Sequence, residues 1–249
     1  PKSGEGRNFE DELGLKSYAE VWPTQKPKTV TYSIEKPDAD VFVTNVRMNP
    51  HDGQLNLLLR VGKESCEVSL PIFGLHHAQN FAASVAVCRL LGMDLNQLKP
   101  AFSQLQPAKH RGEVKALKQG SILIDESYNS NPSALKSSLT SLMSMDSKMP
   151  QLLILGEMRE LESLSDDLHR SVGEHLLQLY QKQPRELVGV GEKMKLVQEL
   201  VTKSGGKASW FATVADLKKK IGEFTKPGQV VFVKGSRGIQ LDLLLADLG

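Results

Sequence analysis

Two short stretches, Leu152–Leu155 and Val230–Val233, are apolar at every position. A strand with one face in water alternates apolar and polar residues. A strand that is apolar throughout is covered on both faces, the habit of parallel sheets flanked by helices. From residue 108 onward such runs alternate with helical patterns. Strands are predicted at 113–117, 121–125, 151–155, 186–190, 208–211 and 229–234, and helices at about 132–146, 164–181, 192–203, 213–223 and 237–247. The expectation is an α/β domain with a doubly wound, mostly parallel Rossmann-like sheet, of ordinary size at about 140 residues.

The rhythm upstream is different. Thr29–Ile34, Asp40–Met48, Gln54–Val61 and Cys66–Ile72 are short runs rich in Val, Ile and Leu, separated by turn residues such as Pro-His-Asp-Gly. They predict a small antiparallel β-meander with one face to cover. Ala78–Leu91 places Phe81, Val85, Cys88 and Leu91 at helical spacing, Gly92 stops it, and Asp94 is a natural N-cap for a second helix through Leu105. These two helices are expected to cover the meander. Residues 1–27 read as loops with one short helix around Glu10–Trp22, and Gln106–Lys109 reads as a hinge. The expected domains are therefore 1–107 and 108–249.

The charge balance, 31 basic against 29 acidic residues, makes no electrostatic case for nucleic acid or an anionic membrane. No apolar stretch approaches a membrane span, and the start shows no secretory pattern. Cys66 and Cys88 are isolated and fit reduced thiols in a cytosol. The histidines, apart from His76-His77, are scattered, so no metal constellation is visible. A start at Pro1 without methionine suggests a fragment.

Candidate chemistry collects at strand ends. The run Ile122–Ile124 ends in Asp125, followed by Asn129, Asn131 and a helix opened by Pro132. Open α/β sheets bind ligands at such carboxyl ends, so Asp125 is placed for a ribose or other hydroxyl, with the two amides beside it. The alternative is an Asx-rich turn in which Asp125 caps the strand. His76 and Asn80 lie four apart at a helix N-terminus and share a face, suited to a base or ribose; the alternative is a capping histidine. Arg111, just past the hinge, can reach a phosphate across a cleft, or can lie on the surface beside Glu113. Lys234-Gly235-Ser236-Arg237-Gly238 ends the last strand. Its glycines, cations and following helix suit a small carboxylate, against the alternative of a plain turn. Glu157 and Glu160 read either as amine-orienting or as solvated charges, and His169 as a structural helix residue.

Taken in order, Gly74-Leu75-His76-His77-Ala78-Gln79-Asn80, His110-Arg111-Gly112-Glu113, the loop 125–132, Leu155–Leu161 and Val233–Arg237 resemble the ATP-dependent Mur ligases of peptidoglycan synthesis, over residues 40–249. The resemblance implies that the chain corresponds to the end of a central ATPase domain plus a whole C-terminal domain. ATP would be held by His76, Asn80, Arg111 and Asp125, and the amine substrate by Asn129, Asn131, Lys234, Ser236 and Arg237. No catalytic residue is assigned. The phosphate-binding Gly-x-x-Gly-Lys-[Ser/Thr] loop is absent from this sequence, and the resemblance puts it and the Mg2+ ligands upstream. The loops look most like those of the member that joins D-alanyl-D-alanine to UDP-N-acetylmuramoyl-tripeptide through an acyl phosphate, a cytoplasmic enzyme expected to be monomeric. This stretch alone is expected to be inactive. His77 stands where the family usually has Asn, Glu157 where Asp is commoner, and Glu162 where Gly is usual. Folylpolyglutamate synthetase or another Mur ligase, and a non-catalytic ligand-binding module, remain as alternatives.

Overall fold

The computed structural model describes residues 29–145, 148–180 and 185–248. The helix expected at Glu10–Trp22 lies outside the described residues. The first sheet holds β1 (Tyr32–Ser33), β2 (Val41–Met48), β3 (Leu55–Val61) and β4 (Glu64–Leu70), in that order. β2, β3 and β4 pair antiparallel as the turn residues predict. β1 departs from the meander: it is only two residues long and runs parallel to β2. Along β3 buried and half-buried residues alternate strictly, the signature of one covered face. The cover is α1 (His77–Leu90) over β1–β3 and α2 (Leu95–Phe102) against β4. Asp94 and Gln97 form a reciprocal capping box at the start of α2. That helix ends at Phe102, short of Leu105, with Pro100 inside it offering no N–H to the ladder.

The second sheet contains β5 (Glu113–Ala116), β6 (Ile122–Glu126), β7 (Gln151–Gly156), β8 (Arg185–Val190), β9 (Lys207–Phe211) and β10 (Val230–Lys234). Its order is β5-β6-β10-β7-β8-β9, parallel except for β5. β6, β7 and β10 are buried at every residue, as the continuous apolar runs demand. Period-two geometry divides their side chains between two layers. Ile122, Ile124, Leu153, Leu155, Val230 and Phe232 join one core cluster. Leu123, Ile154, Val231 and Val233 join the other, with Val214, Leu217, Phe224, Leu241 and Leu244. The helices connecting these strands are α3 (Pro132–Ser144), α4 (Ser165–Tyr180), α5 (Met194–Lys203) and α6 (Val214–Lys218).

Two expected helices are broken. Residues 213–223 form the short α6 and a separate 3₁₀ turn, Ile221–Glu223. Residues 237–247 form 3₁₀ segments, Arg237–Ile239 and Leu241–Asp247, separated by Gln240 in the left-handed region at φ 60°. Leu241 and Leu244, three apart, are buried, a spacing that serves a 3₁₀ turn as well as an α-helix.

The two sheets share one core. Phe73, between β4 and α1, is fully buried with its ring 5.8 Å from Phe232 of β10, and its N–H donates to the Gly112 carbonyl at 2.9 Å. Phe73→Ala is expected to cost about 3–5 kcal/mol, the range for emptying a packed aromatic site. Urea unfolding monitored on each sheet should show both destabilised together; loss confined to the first sheet would mean that the two cores are independent.

Candidate functional site

The join between the sheets leaves a cavity of about 480 Å³ beneath the N-terminus of α1, lined also by the β6–α3 loop and the end of β10. Its walls include His76, His77, Arg111, Glu126, Asn129 and Lys234. Ser130, Asn131, His110 and Tyr128 also line it, with serines from the start of α3. Of the residues picked from sequence, the cavity gathers His76, Arg111, Asn129, Asn131 and Lys234. It does not gather Asn80, Asp125, Ser236 or Arg237.

At the start of α1, Gly74 has φ 121°, and a Cβ there would meet the His76 ring at 2.5 Å, so only glycine turns the chain this tightly. His76 takes the N-cap position without a side-chain capping bond, so the capping alternative fails and its ring stays at the cavity. The rings of His76 and His77 lie 4.1 Å apart. His77 is half-buried; burial, then the neighbouring His76 and Lys234, pushes its pKa down to about 4. His76 is lowered too, again chiefly by burial. Asn80 is exposed one turn further along α1.

Asp125 requires a correction. Pleating sends consecutive residues to opposite faces, so Asp125 and Glu126 diverge. Asp125 is fully buried, and both its oxygens are engaged. Oδ1 accepts from the Ser127 N–H (3.0 Å) and hydroxyl (2.7 Å), and Oδ2 pairs with His110 Nδ1 at 2.7 Å. The acid that faces the cavity is Glu126, which sequence reasoning missed. Its carboxylate lies 3.2 Å from the Lys234 ammonium, with both side chains only 7% exposed. Lys234 also donates to the Asn129 carbonyl at 3.1 Å. Glu126 Oε2, whose contact is that ion pair, and Ser130 Oγ are hidden from solvent and make no hydrogen bond. Tyr128 was missed as well: Arg111 stacks over its ring at 3.9 Å, so the guanidinium is already oriented at the rim.

The β10 loop also differs from expectation. Gly235 serves packing: a Cβ there would lie 2.9 Å from Gly156 Cα, at the end of the adjacent β7. Ser236 is buried and joins two loops, accepting from the Arg159 N–H (2.8 Å) and donating to the Ser130 carbonyl (3.2 Å). Arg237 points outward and pairs with Asp242 at 3.0 Å. The helix N-terminus expected to support a carboxylate here is a three-residue 3₁₀ turn instead. Asn131 caps α3 by accepting from the Ala134 N–H at 2.8 Å. Glu157 is not a free loop charge, for its Oε2 accepts from the Lys193 N–H at the start of α5.

Among the described residues one trio brings metal-type ligand atoms within 4.8 Å of one another, namely His110, Glu113 and Asp125. Besides the His110–Asp125 pair, Glu113 Oε2 accepts from the His110 N–H at 3.1 Å and from Lys115 at 3.3 Å. These atoms are engaged with one another and with a lysine, which does not suit a cation. The cavity itself, with Arg111 and Lys234 against Glu126, suits a ligand that carries negative charge together with hydroxyl or amine donors.

Residues 110–237 match the family model "Mur ligase, glutamate ligase domain", and residues 8–88 match "Mur ligase middle domain". The chain belongs to the Mur ligase family. A UDP-N-acetylmuramoyl-tripeptide–D-alanyl-D-alanine ligase from Synechocystis is 30% identical over 173 residues, 70% of this chain and 34% of that protein. The enzyme of the same name from Escherichia coli is 29% identical over 149 residues, 59% of this chain and 32% of its own length. A crystal structure of MurF from Acinetobacter baumannii superposes with TM-score 0.73 at 27% identity, over 88% of this chain and 46% of that one. MurF from Thermotoga maritima, solved with ADP, shares the fold at TM-score 0.69 and 19% identity, over 96% of this chain and 51% of that one. The chain thus spans about a third to a half of the proteins it matches.

The lowered pKa of His77 gives a pH signature. The unfolded imidazole, near 6.5, takes up a proton before the folded one does. The stability it contributes is complete above that value and is lost as pH falls toward about 4. An NMR titration should place the His77 midpoint near 4; a midpoint near 6.5 would show a hydrated ring.

Proposed function

We propose that this chain is part of an ATP-dependent amide ligase that joins D-alanyl-D-alanine to UDP-N-acetylmuramoyl-tripeptide in the cytoplasm, with release of ADP and phosphate. In this reading residues 1–107 complete the ATP-binding domain and 108–249 form the domain that presents the dipeptide. The observation that carries it is the cavity between the two sheets, where the buried Lys234–Glu126 ion pair and the buried Ser130 Oγ, which has no hydrogen-bond partner, lie among its lining residues. Unsatisfied buried polar atoms are costly, and a polar ligand relieves the cost.

The division of labour follows from position. His76 and Arg111 approach from the first-sheet side and the hinge, and suit the nucleotide. Asn129, Asn131 and Lys234 approach from the strand ends of the second sheet, and suit the dipeptide carboxylate and amide. Glu126 can accept from a ribose hydroxyl or from an ammonium. Ser236 acts indirectly by holding the Ser130 loop, and Arg237 is left out of ligand contact. ATP supplies the phosphoryl group that activates the acceptor carboxylate, and closure of the domains around the bound substrates would keep water from competing with the amine. The phosphate-binding loop and the Mg2+ ligands are assigned to segments upstream of this sequence, so this chain alone is expected to form no ADP in response to D-alanyl-D-alanine.

In the longer enzyme, Lys234→Ala should raise the KM for D-alanyl-D-alanine about ten- to hundredfold, the value of one charged partner of a carboxylate. Arg111→Ala should act mainly on the KM for ATP. Steady-state kinetics with each substrate varied in turn checks both. Equal losses for the two substrates in Lys234→Ala would remove the dipeptide assignment.

A further inference from the structure

His169 is fully buried on α4, outside the cavity, and a ring with two polar nitrogens is an expensive way to fill a core. Both nitrogens are used. The Met158 N–H donates to Nε2 at 3.0 Å, so Nε2 carries no proton. Nδ1 therefore carries it and donates to the Ser165 carbonyl at 2.7 Å. Met158 belongs to the loop after β7, and the next residue links that loop onward. The Arg159 N–H donates to Ser236 Oγ, and the Ser236 hydroxyl donates to the Ser130 carbonyl. The Ser236 N–H also donates to the Glu157 carbonyl at 3.3 Å. One continuous chain of bonds thus runs from His169 through the ends of β7 and β10 to the loop after β6, where Asn129 and Ser130 line the cavity.

We propose that His169 is a positioning residue that locks these three strand-end loops in one arrangement through its unprotonated Nε2. The proposal places cavity geometry under the control of a residue that touches no ligand. Protonation would set an N–H against the Met158 N–H and open the lock. Burial lowers the His169 pKa below 6.5, outweighing the bond to the Ser165 carbonyl, Glu157 on the β7 loop and Asp166 on α4, which favour the protonated ring, while Lys193 before α5 opposes it. The opened loop consequently binds the proton more tightly than the locked one, so the lock weakens as pH falls below that value. Its link to dipeptide binding rests on the function proposed above, whereas the lock itself is read without any ligand.

Amide exchange of the intact chain, followed by NMR, tests it. Gln at 169 can accept from the Met158 N–H without titrating, and Leu cannot accept. His169→Leu should lower the protection factors of Met158, Arg159 and Ser236 by about tenfold, one hydrogen bond's worth, while Val188 and Phe232 in the strands keep theirs. His169→Gln should retain that protection and hold it constant between about pH 7.5 and about pH 5.5, where the native chain loses part of it. Equal loss in both variants, loss spread evenly into the strands, or unchanged protection in His169→Leu would each overturn the proposal. If the Leu variant does not fold, the native and Gln chains compared across pH decide the matter alone. A retained lock with no effect on dipeptide affinity would leave the lock standing and remove its link to the ligand.

Discussion

The burial of Phe73 against Phe232 is the contact on which the rest depends. Neither sheet alone gathers His76, Arg111, Glu126 and Lys234 around one cavity. The first is a single-faced sheet under two helices, and the second is a parallel sheet already covered on both sides. Packing one aromatic ring from the β4–α1 connection onto the middle strand of the second sheet brings the N-terminus of α1 over the carboxyl ends of β6 and β10. The Phe73–Gly112 backbone bond holds the same approach from the chain that leaves α2. Carboxyl ends of parallel strands are where loops and ligands meet in such folds. Here they gain a roof.

Much of this was legible in sequence, because burial on both faces writes itself into composition. Leu152–Leu155 and Val230–Val233 could hardly be anything but buried parallel strands, while the strand order, with β10 between β6 and β7, was not written in the alternation with helices. The same property concealed the site. A strand apolar on both faces carries no alternation, so nothing in Ile122–Ile124 told which of Asp125 and Glu126 would face α1. Pleat parity relative to a distant helix decided it. The C-terminal stretch failed for a different reason. Within one turn a spacing of three, as between Leu241 and Leu244, serves a 3₁₀ turn and an α-helix alike, and a left-handed Gln240 is not announced by its side chain.

Ser236 and His169 show a third kind of limit. Their residue types allow ligand contact, internal bonding or exposure equally well, and the choice depends on partners more than sixty residues away for Ser236 and eleven for His169. Only the assembled loops show that both have spent their hydrogen-bonding capacity on the backbone.

The pairing of Lys234 with Glu126 has a consequence for selectivity. An anion entering the cavity does not meet a waiting cation; it must share or replace the carboxylate that Lys234 already has. A simple anion that displaced it would leave Glu126 buried and uncompensated, which costs about as much as the new pair gains. A ligand that brings a negative group and a donor in one rigid framework leaves neither residue stranded. Such an exchange favours a ligand whose opposite polarities are spaced to match Lys234 and Glu126 over a free anion of the same charge.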